Sequence, residues 1–460
     1  MNEARPVPGL IVAAPRSGAG KTTVALGLMR ALTLRGMTVQ PFKSGPDYID
    51  PAFHAYATGR PGCNLDSWAM TGPMIAHLAA RCSADSGIAL AEGAMGLFDG
   101  AAGAGLAGNG ATADIAALLG WPVILVLDVP GQTETAAAVA LGCARYRDDV
   151  AIAGVILNRV ASARHAALIT PAFERTGLPV FGMLPRDDRF ALPERHLGLV
   201  QAEEHETLAE HLDRLGTAVT QSVDLDAVVA AARSAQAQPS APFPGGGAGL
   251  APPGQRIALA QDRAFSFVYP HVLQGWRDAG AEILPFSPLA DEAPNRAADA
   301  VWLPGGYPEL HAGRLSVAGA FRREMQAHAR RGTPIHGECG GYMVLGEGLE
   351  DADGARHAML GLLSVETSFR QRRLHLGYRQ VRLLAPCSLG SAGAEILGHE
   401  FHYAAMLRND EERLVACRDA GGAEMAESGA RRANVTGTFF HAVSAPSGSM
   451  LQPSDETAKH

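Results

Sequence analysis

Residues 15–23 contain residue types that could bind a nucleoside triphosphate. They read Pro-Arg-Ser-Gly-Ala-Gly-Lys-Thr-Thr and follow a short apolar run. Backbone N–H groups of such a loop converge on an anion, and the start of a following helix adds partial positive charge. Lys21 would reach the β- and γ-phosphates, and the Thr22 hydroxyl would complete a Mg²⁺ shell. The candidate nucleotide-binding residues of this loop are Arg16, Gly18, Gly20, Lys21, Thr22 and Thr23.

Acidic residues follow the strands predicted to flank this loop. Glu92 ends the apolar run 88–92, and Asp47 comes shortly after Lys43. Ligands of parallel α/β sheets bind at the carboxyl ends of strands, so Thr22, Asp47 and Glu92 are candidate Mg²⁺ residues. Lys43 would steady the charge of a phosphoryl group in transfer. The alternative is that Asp47 and Asp50 only cap a proline-rich turn.

A second candidate site lies at residues 337–341, which read Gly-Glu-Cys-Gly-Gly between a predicted strand and a predicted helix. This pattern is a cysteine version of the nucleophile elbow, in which a sharp turn exposes the nucleophile above the sheet. The helix N-terminus would favour the thiolate of Cys339. The N–H of Gly340 would stabilise an oxyanion, and the glycine loop at 304–309 would supply a second donor from Gly306.

The thiol of Cys339 needs a base to activate it. His441 follows a short apolar run late in the chain and is our choice, and His402 is its competitor. His336 would point away from the elbow, because side chains alternate along a strand. The other five cysteines have no elbow around them and are interpreted as packing residues.

Two α/β regions must position these residues. From residue 9 to about 185, nearly continuous apolar strands alternate with helices, and residues 203–235 keep a helical period. Such strands indicate a parallel sheet covered on both faces. A second α/β pattern begins at residue 256, with helices expected at 268–279 and 313–331. We predict an α/β protein of two parallel-sheet domains, with a phosphate loop in the first and the cysteine elbow in the second.

A stretch rich in Pro, Gly, Ala and Gln separates the two patterns and is typical of a linker. The predicted boundaries are residues 1–235 for the first domain, 236–255 for the linker, 256–445 for the second domain and 446–460 for a polar tail.

Bulk composition excludes several classes of protein. The net charge is −8 without a run of Lys or Arg, so we expect no nucleic-acid partner. No apolar segment approaches the length of a membrane span, and the start of the chain does not look like a signal peptide. The six cysteines show no metal-binding spacing. We therefore expect a cytoplasmic protein that has no membrane partner.

A cysteine elbow joined to a phosphate loop suggests two coupled half-reactions. A carboxylate is a poor electrophile, but ATP converts it to an acyl phosphate that ammonia can attack. Ammonia is mostly protonated in neutral water, so internal release from glutamine through a thioester is the efficient source. The pair of sites therefore indicates glutamine-dependent amidation of a carboxylate.

Five segments together resemble the cobyrinic acid or hydrogenobyrinic acid a,c-diamide synthase family. They are the phosphate loop and residues 43–51, 91–100, 303–310 and 337–343. The resemblance implies a domain similar to dethiobiotin synthetase followed by a class I-type glutamine amidotransferase domain. It implies ATP with Mg²⁺, L-glutamine, and hydrogenobyrinic or cobyrinic acid whose a and c carboxylates become amides, a step of cobalamin biosynthesis.

By motif position, Cys339 resembles the family's nucleophile and His441 the histidine that raises its reactivity. Asn158 resembles the adenine-reading asparagine of related synthetases. The chain departs from the pattern at Pro15, where a glycine is usual, and at Val443, where His-x-Glu would place a carboxylate. The loop at residues 13–18 favours the metal-free substrate over the cobalt one.

Other functions remain open at this point. A cobyric acid synthase or a sirohydrochlorin a,c-diamide synthase would use the same two sites. A partition or regulatory ATPase similar to ParA would use the phosphate loop alone and leave Cys339 without a role. A homodimer is the expected oligomeric state, although no residue pattern tests it.

Overall fold

The computed structural model of the 460-residue chain describes residues 7–190, 194–195, 198–199, 207–234 and 249–446. The chain divides into two compact units, residues 1–243 with 269–271 and residues 244–268 with 272–460. The predicted linker lies outside the described ranges up to residue 248, and the predicted tail lies outside them from residue 447.

The first unit is built on an eight-stranded sheet. Its strands and those of a separate two-residue pair are β1 (Pro8–Ala13), β2 (Val39–Ser44), β3 (Cys63–Leu65), β4 (Ile88–Glu92), β5 (Val123–Asp128), β6 (Ile152–Val160), β7 (Val180–Pro185), β8 (Glu194–Arg195), β9 (Gly198–Leu199) and β10 (Arg233–Ser234). Its helices are α1 (Lys21–Leu34), α2 (Asp50–Thr58), α3 (Gly72–Ser83), α4 (Thr112–Leu119), α5 (Glu134–Tyr146), α6 (Ala163–Glu174), α7 (Leu208–Ser222) and α8 (Leu225–Ala231).

The strand order β3-β2-β4-β1-β5-β6-β7 places the candidate residues of the first unit side by side. All these strands are parallel, and only β10 pairs antiparallel with β1. The side chains of β4 are buried along its whole length, as expected for a strand covered on both faces. In the register of β2 and β4, Lys43 pairs with Glu92, and Val12 of β1 pairs with Glu92 from the other side.

From residue 249 onward the structure is richer in strands. The strands are β11 (Arg256–Ala260), β12 (Glu282–Phe286), β13 (Ala300–Leu303), β14 (Ile335–Glu338), β15 (Gly348–Glu350), β16 (Arg356–Ala358), β17 (Val365–Ser368), β18 (His375–Leu383), β19 (Glu395–His402), β20 (Ala405–Asn409), β21 (Val415–Asp419), β22 (Ala430–Arg432), β23 (Val435–Thr438) and β24 (Phe440–Ser444). The helices are α9 (Pro270–Asp278), α10 (Ala312–Val317), α11 (Gly319–Arg330) and α12 (Gly340–Leu345).

The main sheet of the second unit has the order β12-β11-β13-β14-β23-β22 and is parallel except for β22 at its edge. Glu338 pairs with Thr438 in the register of β14 and β23, so Cys339 lies just beyond this point. Strand β24 begins two residues after β23 ends and carries His441, which pairs with His399 of β19. The carboxyl ends of three neighbouring strands thus carry the elbow, the glycine loop and the candidate base.

The predicted α/β class with two parallel sheets is confirmed. The second unit also contains two additional sheets that were not predicted. One additional sheet, β16-β15-β17-β20, is mixed, and the other, β21-β18-β19-β24, is antiparallel.

Two predicted helices are each divided in the structure. Within 203–235, α7 ends at Ser222, and the Asp224 carboxylate then accepts the Ala227 N–H and starts α8. Within 313–331, the chain leaves the helical conformation at Ala318, between α10 and α11. No helix among the described residues is long and apolar enough to cross a membrane.

Candidate active sites

The phosphate loop of the first unit adopts the backbone conformation that its glycines allow. Gly18 and Gly20 have φ angles of 74° and 86°, which disfavour residues with a Cβ. A Cβ on Gly20 would stand 2.2 Å from the amide nitrogen of Asn158. That nitrogen donates to the carbonyl of Ala19 at 3.0 Å. Asn158, expected to read adenine, therefore holds the loop through its amide in this structure.

Lys21 and Lys43 supply the positive charge of this site. Both side chains are buried, at 8% and 3% exposure. Burial and the nearby Lys43 lower the pKa of Lys21, so an arriving anion would stabilise its charged form. Two buried ammonium groups, one at the start of α1 and one near the end of β2, fit a polyanionic ligand.

Three carboxylates surround the Lys43 ammonium. It donates a close hydrogen bond to Asp50, lies 3.2 Å from Glu92 Oε1 and is 4.0 Å from Asp47 Oδ2. Burial opposes the charge of Lys43, but Asp50 and Glu92 outweigh it and raise its pKa. Lys43 is therefore held as a cation at the end of β2.

Glu92 is the most connected carboxylate of the first unit's site. Its Oε1 accepts the Thr22 hydroxyl at 2.6 Å, and its Oε2 lies 2.6 Å from Nε2 of His54. Burial by itself would raise the pKa of Glu92, but Lys43, His54 and Thr22 together lower it below its usual range. Glu92 is therefore an ionised carboxylate in a fully buried position.

The predicted metal set of Thr22, Asp47 and Glu92 is only partly brought together. Thr22 contacts Glu92, but Asp47 Oδ1 accepts the N–H groups of Ile49 and Asp50 at 2.8 and 3.3 Å. Asp47 thus caps the turn before α2, which was the alternative to metal binding that the sequence left open. Asp50, for which the same alternative stood, contacts Lys43 instead.

Sequence reasoning missed His54 as a partner of Glu92. It lies four residues after Asp50 on α2, so the two side chains share one helix face. That spacing was the available sequence signal that His54 belongs to the site. Its contact with Glu92 could be recognised only once β2 was seen to pair with β4.

The Arg16 guanidinium contacts both the loop's own backbone and an acidic residue beside the loop, and it donates to the Ser17 carbonyl at 3.1 Å. The same guanidinium lies 2.7 Å from Asp128 Oδ2, and Arg159 lies 3.2 Å from the same oxygen. A cavity of about 430 Å³ opens nearby, and its lining includes Thr23, Asn158 and Arg159. The predicted nucleotide residues Thr23 and Asn158 therefore share one cavity, whereas Arg16 is paired with Asp128 and does not line that cavity.

The second unit contains the predicted elbow. Cys339 has φ and ψ angles of 46° and −105°, and a positive φ is uncommon for a residue with a side chain. Small neighbours make this turn possible, because a Cβ on Gly341 would stand 2.0 Å from the carbonyl oxygen of Leu303. Strain of this kind is concentrated at functional positions, so the turn supports Cys339 as a nucleophile.

His441 lies beside Cys339 across Gly305. A Cβ on Gly305 would stand 2.9 Å from Nε2 of His441 and 3.2 Å from Cβ of Cys339. The competitor His402 places its Nε2 2.7 Å from Glu400 Oε1. The structure therefore brings the ring of His441 to the cysteine and engages His402 with a carboxylate.

The two glycines predicted as oxyanion donors are neighbours in space. A Cβ on Gly340 would stand 3.0 Å from the backbone nitrogen of Gly306. The Gly340 N–H also contacts the Cys339 sulfur and favours its ionised form. The two backbone N–H groups are thus close enough together to donate to a single oxyanion.

The expected thiolate of Cys339 is not supported by its surroundings. Burial raises the pKa of the thiol above its usual range, and Glu309 raises it further, more than the Gly340 N–H lowers it. The helix that follows has only six residues, so its dipole is small. Cys339 is therefore a neutral thiol at rest, and a base must remove its proton during attack.

Two further carboxylates near Cys339 were not predicted. Glu338 is 5% exposed and Glu400 is 2% exposed, and both act electrostatically on the thiol. Arg379 donates to Glu400 Oε2 at 2.5 Å. Glu338 directly precedes Cys339 in the sequence, and this position was the available signal that its carboxylate lies near the thiol.

Family models and curated relatives both match this chain. Residues 10–200 match the CobQ/CobB/MinD/ParA nucleotide binding domain, and residues 256–448 match the CobB/CobQ-like glutamine amidotransferase domain. A relative from Rhodobacter capsulatus, named hydrogenobyrinate a,c-diamide synthase, is 55% identical over 95% of this chain and 98% of its own. Relatives of the same name from Mesorhizobium japonicum and Agrobacterium fabrum are 56% and 53% identical, each over 94% of this chain and 98% of its own.

Proposed function

We propose that this chain, which belongs to the hydrogenobyrinate a,c-diamide synthase family, converts the a and c side-chain carboxylates of hydrogenobyrinic acid to amides. It is a glutamine-hydrolysing amide ligase of cobalamin biosynthesis that has a nucleotide-binding domain and a glutamine amidotransferase domain. The observation that carries the metal-free substrate is the relatives' shared name over nearly the full length of both chains.

In the first half-reaction, the substrate carboxylate attacks the γ-phosphorus of ATP, and ADP leaves. Lys21 binds the β- and γ-phosphates, and the buried Lys43 steadies charge on the phosphoryl group. The products are an acyl phosphate and ADP, so the carboxylate gains a leaving group. Support for this role comes from two buried cations, Lys21 at the start of α1 and Lys43 near the carboxyl end of β2.

Mg²⁺ belongs to this proposal because the donor set fits it. The Thr22 hydroxyl and the Glu92 carboxylate meet at 2.6 Å, and hard oxygen donors are the ligands that Mg²⁺ prefers. Thr22 and Glu92 would hold the ion, and Asp47 would join them by turning away from the start of α2. When bound, Mg²⁺ neutralises charge on the β- and γ-phosphates.

The nucleoside end of ATP fits the cavity lined by Thr23 and Asn158. Its volume of about 430 Å³ lies within the range of small-molecule sites. Asn158 is 6% exposed and donates to the loop with its amide nitrogen. We expect it to read adenine at one face while it holds the loop at the other.

In the second half-reaction, Cys339 attacks the side-chain amide carbon of glutamine while His441 takes the thiol proton. The N–H groups of Gly340 and Gly306 stabilise the oxyanion of the tetrahedral intermediate. His441 returns the proton to the leaving nitrogen, so ammonia departs and a thioester remains. Water then hydrolyses the thioester to glutamate, and ammonia displaces phosphate from the acyl phosphate to give the amide.

Further aspects of the proposal concern the whole chain. The proposed domains are residues 1–235 and 256–445, joined by residues 236–255 and followed by a tail. The six cysteines are unpaired, which supports action in the cytoplasm. We also propose that the protein acts as a homodimer without nucleic-acid or membrane partners.

Mass spectrometry of the product tests this function. Hydrogenobyrinic and cobyrinic acids are each incubated with the protein, ATP, Mg²⁺ and glutamine. Conversion of two carboxyl groups of hydrogenobyrinic acid supports the proposal. Conversion of four groups identifies a cobyric acid synthase activity, and ATP hydrolysis without amidation of either acid favours the partition ATPase and contradicts the proposal.

A further inference from the structure

The strand that carries His441 has no carboxylate at the position where a His-x-Glu pattern would place one. Val443 occupies that position and is fully buried. A histidine that accepts a thiol proton at Nε2 must carry its own proton at Nδ1, and a carboxylate facing Nδ1 fixes that tautomer. The question is therefore which carboxylate faces Nδ1 of His441.

Glu338, from the neighbouring strand β14, lies in that place. Its Oε2 is 3.8 Å from Nδ1 of His441, and its Oε1 accepts the N–H of Ala442 at 2.9 Å. The second contact anchors the carboxylate to the residue after the base, so Glu338 and His441 are held together. A small rotation of either side chain closes the remaining gap, as catalytic hydrogen bonds often do when substrate binds.

We propose that Glu338 is the positioning carboxylate of the glutaminase site and replaces the absent glutamate of His-x-Glu through space. This inference rests on the proposed roles of Cys339 and His441 and adds a third member to them. In the proposed arrangement, Nδ1–H of His441 donates to Glu338, and Nε2 faces the thiol of Cys339.

The other nearby carboxylate is engaged elsewhere. Glu400 accepts from Arg379 through Oε2, and its Oε1 lies 2.7 Å from Nε2 of His402. Both oxygens of Glu400 are therefore taken up by cationic or histidine partners. Glu338 has one oxygen on a backbone N–H and the other directed to the base.

Both members of the proposed pair are neutral at rest. Burial raises the pKa of Glu338 to about 8, against the effect of the Ala442 N–H. Burial, His399 and His402 lower the pKa of His441 to about 3. A protonated Glu338 would present its O–H to Nδ1 and favour the wrong tautomer, so the active form needs the Glu338 carboxylate.

This charge requirement gives a direction for pH. Glu338 is protonated below its pKa and ionised above it, so glutaminase kcat should rise as pH increases through about 8. The titratable groups that act on His441 are His399, His402 and Glu400, and those that act on the adjacent Cys339 thiol are Glu309, Glu338 and Glu400. Replacement of Glu338 alone should remove the rise, because the other groups stay in place.

The test compares Glu338→Gln, Glu338→Asp and the control Glu282→Gln. Glu282 is an exposed carboxylate that pairs with Arg256 at 3.0 Å, away from the elbow. We expect E338Q to lower glutaminase kcat by about 10²-fold with little change in the KM for glutamine. E338D should recover part of the loss, and E282Q should match the wild type.

Two controls separate positioning from damage to the fold. Ammonia-dependent amidation by E338Q should equal that of the wild type, and the rise of kcat near pH 8 should be absent. In the double variant with His441→Ala, removal of Glu338 should cost nothing further, because its effect acts through His441.

Several results would overturn the inference. These are glutaminase kcat of E338Q within threefold of wild type, an unchanged pH profile, or an additive loss with H441A. If E338Q is unfolded by circular dichroism, E338D and its pH profile decide in the same way. Failure of the wild type to hydrolyse glutamine would instead contradict the proposed function itself.

Discussion

Gly305→Ala should disable glutamine hydrolysis without touching the nucleotide site. The new Cβ would stand 2.2 Å from Cε1 and 2.9 Å from Nε2 of His441. Carbon atoms pack at about 3.5–4.0 Å, so the imidazole must retreat by roughly 1 Å or more. A shift of about 1 Å at a reacting group can cost about 10²-fold in rate, which is the loss of glutaminase kcat that we expect.

The assay follows glutamate release and, separately, amidation with ammonium as the nitrogen source. G305A should lose the first and keep the second. Gly313→Ala is the matched control, because its nearest neighbour would be 3.8 Å away and it lies in α10 of the same unit. A glutaminase kcat of G305A within threefold of wild type would refute the placement of His441 as the base.

Three further predictions concern the first unit. Lys43→Met should abolish amidation with either nitrogen source. It should also lower the free energy of unfolding by about 3–5 kcal/mol, because Asp50 and Glu92 lose their buried cation. Chemical denaturation and a product assay measure the two effects, and retained amidation would contradict the role of Lys43. Glu92→Gln should reduce the loss of stability in acid. Because Lys43, His54 and Thr22 lower the folded pKa of Glu92, its carboxylate contributes stability above the unfolded pKa, and this contribution is lost as pH falls from about 5 toward the folded pKa. Equal loss of unfolding free energy in E92Q and wild type between about pH 5 and pH 2 would count against it. Gly20→Ala should raise the KM for ATP at least tenfold, since the Cβ would stand 2.2 Å from Asn158 at a φ of 86°; an unchanged KM would show that the loop can relax.

The sequence predicted candidate site residues where the chemical motif and the local strand–helix pattern occur in the same short segment. Lys21 and Cys339 each stand between a strand and a helix, and that arrangement can be read from neighbouring residues. The pairing of Lys43 with Glu92 required only that two parallel strands end at the same edge. The catalytic roles of these residues remain predictions.

The remaining features depend on long-range pairing that no local pattern encodes. Glu338 meets the base because β14 pairs with β23, which brings Glu338 opposite Thr438. His54 meets Glu92 through the packing of α2 on the sheet edge. The two additional sheets of the second unit likewise include pairs of strands that are not neighbours in the sequence, and neither these strands nor their partners were predicted from the sequence.

The proposed function requires that one chain couples release of ammonia at Cys339 to carboxylate activation at Lys43. The decisive measurement is amidation of hydrogenobyrinic acid by Cys339→Ala. Mass spectrometry follows the product, with either glutamine or ammonium at high concentration as the nitrogen source. We expect no diamide with glutamine and wild-type amounts of diamide with ammonium. Diamide formation from glutamine, or failure of ammonium to restore it in a folded variant, would contradict this division of labour.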